Sequence, residues 1–238
     1  MRKLAIVPAF NEAGSIGGVI DELRAFDDTL DVLVVDDGSH DETCDVAEQR
    51  GAHVVRLPFN LGIGGAVQTG FQYAAAHGYE IVVRVDGDGQ HDPAQISELM
   101  PAVLEDRADI CVGSRFAAGP GGYRSSATRR LGIRVLARTV SLLTGQRLTD
   151  TTSGFQVLNR RAIELFAEDY PHDYPEVEAA VMLHKHRLRL VEAPVTMRER
   201  ATGESSITAL RSVYYMAKVL LAVLIGMLRR PATPLEDT

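Results

Sequence analysis

The chain has 238 residues, 45% hydrophobic and 24% charged, with two cysteines and a formal net charge of -7. That length buries a full core, and the composition excludes a disordered, collagen-like or disulfide-stapled protein. Cys44 and Cys111 lie far apart with no Cys/His spacing, so a structural zinc site is not expected, and a start without a signal-peptide pattern predicts a reducing, cytoplasmic setting.

In chain order, apolar runs at Leu4–Val7, Val32–Val35, His53–Leu57, Ile81–Val85 and Asp109–Val112 predict strands. Between them, helical patterns fall near 15–25, 42–50, 65–77 and 94–105. This alternation predicts an α/β fold with a mostly parallel sheet flanked by helices, whose ligands bind beyond the carboxyl ends of the strands. A further helix is expected over about 126–143. On it Arg130, Arg134 and Arg138 form one stripe, with Leu131, Val135 and Leu142 turned toward the protein. From 207 to 230 a C-terminal helix is expected, with an apolar centre at Val219–Leu228 between Lys218 and Arg229-Arg230. Ten apolar residues are too few to span a bilayer, so this helix lies in a membrane interface or packs on protein. The division that follows is a domain over 1–206, the helix over 207–230 and a tail over 231–238.

Charge is unevenly spread. Residues 1–106 carry 6 basic against 19 acidic side chains, whereas 107–147 carry 8 arginines against Asp109 alone. A basic segment in an acidic chain points to one anionic partner handled in one place, and the global balance argues against nucleic acid. Arginine without lysine suits phosphate.

The loops at the predicted strand ends hold the unusual residues. They read Pro8-Ala9-Phe10-Asn11-Glu12, Asp36-Asp37-Gly38-Ser39, Asn60-Leu61-Gly62-Ile63-Gly64-Gly65 and Asp86-Gly87-Asp88-Gly89-Gln90. Two carboxylates one residue apart around a glycine offer hard oxygen ligands to Mg²⁺ or Mn²⁺ bridged to a diphosphate, and Gln90 or His91 can add another. Ser39 or Asp41 can cap a helix, and the aspartates before them can accept from a base N–H or a ribose hydroxyl. Glycines at 62, 64 and 65 let backbone approach a ligand at a helix N-terminus. The dinucleotide GxGxxG is missing after the first strand, and GxxxxGK[ST], GxSxG and HExxH are missing throughout.

These four loops resemble glycosyltransferase family 2, of the GT-A fold. Gly113-Ser114-Arg115, Asp150-Thr151-Thr152-Ser153-Gly154-Phe155 and Arg200-Ala201-Thr202-Gly203-Glu204-Ser205 narrow the resemblance to dolichol- and polyprenol-phosphate sugar synthases. The resemblance implies that Pro8, Ala9, Glu12, Asp37, Gly64 and Asp86 bind the nucleotide sugar. It places the Mn²⁺ or Mg²⁺ on Asp88 and Gln90 with Asp86. Asp88, Arg115 and Arg200 would serve catalysis, and Arg115, Arg129, Arg130, Arg134 and Ser205 the acceptor. Two departures stand out: Ser206 follows Ser205 where such synthases often have lysine, and Arg134 stands where a small hydroxyl residue is expected.

The function so implied is metal-dependent, inverting transfer of a hexose from a GDP- or UDP-sugar to polyprenyl phosphate. It would occur at the cytoplasmic face of the membrane, the protein being peripheral there, with homo-oligomerisation left open. A lipid phosphate has a second pKa of about 6 by analogy with phosphorylated side chains, so it needs cations and no base. A hydroxyl acceptor instead needs a carboxylate, for which Glu176, Glu178 and Asp150 are candidates, though the two glutamates can simply open a helix after Pro175. A sugar-phosphate nucleotidyltransferase would show a glycine-rich basic first loop, which Pro8–Glu12 is not. A binding module would hold the donor without releasing diphosphate.

Overall fold

The structure, a computed structural model, describes residues 1–117, 127–172 and 174–198, together with 218, 219, 221, 225 and 227; for residues 127–131 it describes the backbone alone. The alternation opens with β1 (Lys3–Ala9), α1 (Ile16–Phe26), β2 (Leu30–Asp36), α2 (Thr43–Gln49), β3 (His53–Arg56), α3 (Gly62–Ala76) and β4 (Ile81–Arg84). A 3₁₀ turn at Pro93–Gln95 leads into α4 (Ile96–Leu104) and β5 (Ile110–Ser114). Then come α5 (Ala127–Thr144), β6 (Gln156–Asn159), α6 (Arg160–Glu168), α7 (Pro175–Lys185) and β7 (Leu190–Pro194).

The strands form one seven-stranded sheet in the order β3-β2-β1-β4-β6-β5-β7. β1 pairs in parallel with β2 and β4, as do β2 with β3 and β5 with β7. Only β6 runs antiparallel, between β4 and β5. β1 is buried on both faces, which is why its sequence is a continuous apolar run. Ala5 and Val7 pack with Ile16, Ile20 and Leu23 of α1 and Leu99 of α4. Leu4 and Ile6 pack with Val67 and Phe71 of α3 and Phe166 of α6. Helices therefore cover both faces of a mostly parallel sheet, the expected α/β architecture.

One reversed strand decides where the site lies. Because β6 enters from the edge at which β4 and β5 end, the loop before it joins the loops after β1, β2, β4, β5 and β7. Every motif among the described residues thus gathers at one edge of the sheet.

One expectation needs correction. In α5 the buried stripe is Ile133, Leu136, Ala137 and Val140, while Val135 is 38% and Leu142 85% exposed, and the side chain of Leu131 lies outside the described residues. The helix has apolar residues on two faces, and Ile133, Leu136, Ala137 and Val140 keep the i, i+3, i+4, i+7 spacing of one face. Arg134 and Arg138 are exposed, as the stripe requires. Of the C-terminal helix, only five residues are described. Val219 is buried with Leu136, Val140, Val177 and Val181, and Met227 packs on that cluster, whereas Leu221 and Ile225 are 57% and 55% exposed. Among the described residues no helix is long and apolar enough to cross a membrane.

Candidate active site

The first three loops are stitched together by side-chain to backbone hydrogen bonds. β1 ends at Pro8-Ala9, and the Ala9 carbonyl accepts from the Asp37 amide at 2.8 Å. Asn11, at φ 56°, accepts through Oδ1 from the His40 amide at 2.8 Å, while its own amide donates to Ser39 Oγ at 2.9 Å. Asparagine tolerates that left-handed conformation better than most residues. Asp37 is buried, and its two carboxylate oxygens accept from the Leu61 and Gly62 amides at 2.7 and 2.9 Å. It therefore holds the N-terminus of α3 against β2. Asp36 faces inward too: Ser39 donates to it, and burial together with its hydrogen bond to Cys44 pushes the Cys44 thiol up to about 12. Asp41 accepts from the Thr43 amide at 3.0 Å as α2 begins. Gly64 approaches another loop: a Cβ there would meet the His172 Cα at 2.6 Å.

The Asp86-Gly87-Asp88 turn follows β4. Ser15 ties it to the first loop, its hydroxyl lying 2.9 Å from Glu12 Oε2 and 2.8 Å from the Gly87 carbonyl. Asp88 Oδ1 accepts from the Gln90 amide at 3.0 Å, which closes the turn. His91 is folded beneath it, 2% exposed, with its ring stacked on Phe155 at 4.9 Å. The Asp86 amide donates to His91 Nδ1 at 3.2 Å, so the ring proton resides on Nε2, 3.8 Å from Asp86 Oδ2. Burial holds the imidazole pKa below its usual value, which keeps it neutral. Gln90 also accepts through its carbonyl from the Arg198 amide at 2.9 Å, so the strand-end segment 195–198 runs beside this turn.

Under the turn lies Arg84, the last residue of β4, 1% exposed. Its Nη2 donates to Glu176 Oε1 at 2.7 Å and lies 3.7 Å from Asp86 Oδ1, and Nη1 donates to the Tyr170 hydroxyl at 3.2 Å. Burial works against the guanidinium charge, but Tyr170, Glu176 and Asp86 outweigh it and the pKa is raised. Burial also pushes the Tyr170 phenol up, so it stays neutral. Gly154 makes room for this cluster: a Cβ there would sit 2.8 Å from Asp86 Oδ1 and 3.0 Å from Arg84 Nη2.

On the far side of the edge, Arg115 follows β5. It is buried and paired bidentately with Asp150, Nε to Oδ2 at 2.6 Å and Nη2 to Oδ1 at 2.7 Å, with Thr152 Oγ1 also 2.6 Å from Nη2. Fork-to-fork pairing of this kind fixes both planes. Asp150 is placed in turn by Glu192 of β7, whose carboxylate accepts from the Thr149 and Asp150 amides, each at 2.8 Å. Of the other residues expected to meet the acceptor, Arg134 lies exposed on α5. The side chains of Arg129 and Arg130, and all of Arg200 and Ser205, lie outside the described residues.

The donor set fits a divalent cation. Among the described residues no three His, Cys, Asp or Glu side chains form a complete cage. A Mg²⁺-type site needs only one or two carboxylates beside substrate phosphates. Asp86 Oδ1 is buried with no hydrogen-bond partner among the described residues, and Asp88 and Gln90, whose side-chain carbonyl oxygen is a further hard donor, follow on the same turn.

Arg84, Tyr170 and Glu192 stand outside the sequence motifs, and Gly154 stands inside one, Asp150–Phe155, without a role of its own there. Arg84 carried a signal, a lone charge inside the apolar run Ile81–Val85. Tyr170 carried none, because its importance is set by what packs against it.

Residues 4–166 match the family model described as glycosyl transferase family 2. The chain is 34% identical over 216 residues to the undecaprenyl-phosphate mannosyltransferase of Micrococcus luteus, covering 87% of this chain and 88% of that protein. It is 31% identical over 217 residues to the polyprenol monophosphomannose synthase of Mycolicibacterium smegmatis, covering 87% and 81%. Its fold is similar to glucosyl-3-phosphoglycerate synthase of Mycobacterium tuberculosis, solved with Mn²⁺, UDP and glucosyl-3-phosphoglycerate. The TM-score is 0.72 at 21% identity, over 97% of this chain and 81% of that one.

Proposed function

This chain belongs to glycosyl transferase family 2 and is a glycosyltransferase, and on that premise we propose that it moves a hexose from a GDP- or UDP-sugar to polyprenyl phosphate. The observation that carries the choice of acceptor is the state of the candidate bases. Glu176 is bound to Arg84 and Asp150 to Arg115, so two of the three carboxylates that a hydroxyl acceptor would call on are held in ion pairs. Glu176 Oε1 and both Asp150 oxygens already accept from their arginines at 2.6–2.7 Å, so these oxygens are committed to a structural partner. A phosphate acceptor needs no base, being dianionic near neutral pH. The names of the two relatives, both polyprenyl-phosphate mannosyl enzymes, support the same acceptor and favour mannose.

In this reading Pro8, Ala9, Glu12 and Asp37, with Gly64 at the α3 terminus, line the nucleoside side. Asp86, Asp88 and Gln90 would hold a Mn²⁺ or Mg²⁺, which supplies charge stabilisation to the departing nucleoside diphosphate. The lipid phosphate oxygen attacks the anomeric carbon as the bond to the diphosphate breaks, and the configuration inverts. Arg115, Arg200 and the arginines of α5, Arg129, Arg130 and Arg134, orient the acceptor phosphate with Ser205. Support for a membrane surface comes from Leu142, Leu221 and Ile225, exposed on helices whose other faces pack together around Leu136, Val140 and Val219. The division into 1–206, 207–230 and 231–238 belongs to the same proposal; both of its boundaries lie outside the described residues.

The test is nucleoside diphosphate release from a panel of UDP- and GDP-sugars with Mn²⁺, with and without a short polyprenyl phosphate. Release that requires the lipid phosphate, for one donor, is expected; release indifferent to it would hand the acceptor role to a hydroxyl.

A further inference from the structure

Arg84 is a charged side chain fully buried in the interior. A guanidinium taken wholly out of water costs several kcal/mol, and a well-packed apolar residue in its place is often neutral or stabilising. Its neighbours Val83 and Val85 are the kind of residue the strand otherwise uses. An ionised group kept at such cost beneath a cleft is a functional candidate. Its geometry says toward what. Nη2 is shared between two carboxylates from different elements, Glu176 at 2.7 Å on α7 and Asp86 at 3.7 Å on the metal-binding turn. Tyr170, wedged between Phe71 and Phe166 at ring distances of 5.3 and 5.0 Å, receives Nη1 and fixes the plane of the fork. Gly154 keeps the space beside Asp86 Oδ1 open.

We propose that Arg84 is a positioning residue for the cation–diphosphate site: it holds the Asp86 carboxylate in the orientation that a divalent cation needs, using Glu176 and Tyr170 as its own anchors. The inference rests on the donor site proposed above. It also assigns Glu176 a task other than proton transfer, as the anchor of a buried cation.

A bland alternative exists, in which Arg84 only pins α7 to β4 by neutralising Glu176. The two differ in sign. By its field alone, a cation beside a cation site weakens metal binding, so removing it should tighten Mn²⁺. Loss of a positioning partner does the opposite, typically by about 10–100-fold in metal affinity.

The experiment titrates Mn²⁺ by electron paramagnetic resonance in the presence of UDP and, separately, GDP, alongside thermal unfolding. It compares the unaltered chain with Arg84→Met, Arg84→Lys and the double variant Arg84→Met/Glu176→Gln. Arg84→Met is expected to lose Tm and to weaken Mn²⁺–nucleotide binding at least about tenfold. Arg84→Lys, a point charge without the fork, is expected to recover only part of that affinity. The double variant removes the unpaired glutamate, so Tm should return toward normal while Mn²⁺ binding stays weak. If the double variant regains Mn²⁺ binding with its Tm, or if any folded Arg84→Met form binds Mn²⁺ as tightly as the unaltered chain or more tightly, positioning is refuted. If Arg84→Met does not fold, the double and lysine variants decide alone. An unaltered chain that gathers no Mn²⁺ with either nucleotide overturns the donor site itself, a result distinct from the others.

Discussion

The loop half of the site and the ion-paired half are built differently. In the loops after β1 and β2, short polar side chains accept from backbone amides of a neighbouring loop: Asn11 from His40, Ser39 from Asn11, Asp37 from Leu61 and Gly62. Each bond is neutral or singly charged, and each residue belongs to a motif visible in a few consecutive letters. Around β5, β6 and α7 the joints are ion pairs between residues far apart in the chain, Arg115 with Asp150 and Arg84 with Glu176. Such joints cost desolvation and return it only if both partners are in place. The loop half should therefore tolerate loss of one bond, whereas the ion-paired half should lose stability when a single carboxylate is removed.

The largest effect expected is on turnover. Asp88→Ala should lower kcat by at least about 100-fold, as loss of a group that stabilises charge in the transition state does. It should also abolish the metal dependence of donor binding; normal activity at ordinary Mn²⁺ would break the assignment of this turn. Next in size is Asp150→Ala, which strands a buried arginine. Its expected cost is about 3–5 kcal/mol of stability by denaturant unfolding, the penalty for breaking a buried pair. An equal loss from Asn11→Ala would dissolve the contrast between the halves. Glu176→Gln sharpens it: kcat should fall by less than about tenfold, whereas removing a general base costs 10²–10⁴-fold, a difference that steady-state rates resolve.

The smallest effect concerns the opposite edge of the sheet. Asp109 is buried at the start of β5, where it accepts from the Arg189 amide at 2.7 Å and from Asn159 Nδ2 at 2.9 Å. Burial pushes its pKa up, but the Arg189 and Asn159 hydrogen bonds outweigh that and hold it below the usual value. The unfolded chain then binds the proton more readily, so the stabilisation is complete above about pH 4 and is lost as pH falls through the lower folded value. Asp109→Asn should cost about 1–2 kcal/mol near neutral pH and progressively less in acid, with the rate of sugar transfer unchanged. A change in rate would mean that this edge talks to the site.

Five strands and the first five helices are legible in the letters, because β1 through β4 are apolar runs separated by amphipathic segments of ordinary length. β6 is four residues, Gln156-Val157-Leu158-Asn159, and β7 interrupts its apolar pattern with Glu192 and Pro194, so neither reads as a strand. Glu192 stands in β7 because it serves the Thr149–Asp150 turn, a need set by a neighbour 42 residues away. The inward face of α5 was misread for a related reason: with apolar residues on two faces, only the packing of α7 and Val219 against Leu136 and Val140 selects one.

Residue order alone determined the α/β alternation, the placing of acidic and glycine-rich loops at strand ends, and the concentration of arginine in 107–147, because backbone periodicity and local turn chemistry act over a few residues. Which carboxylates are consumed by arginine was decided by tertiary structure. Asp86 and Asp150 look alike in the sequence, each an acid beside a short loop. One keeps a buried oxygen without a hydrogen-bond partner among the described residues while the other spends both oxygens on Arg115, and that difference exists only once β6 has reversed and brought residues 149–155 to the edge where β4 and β5 end.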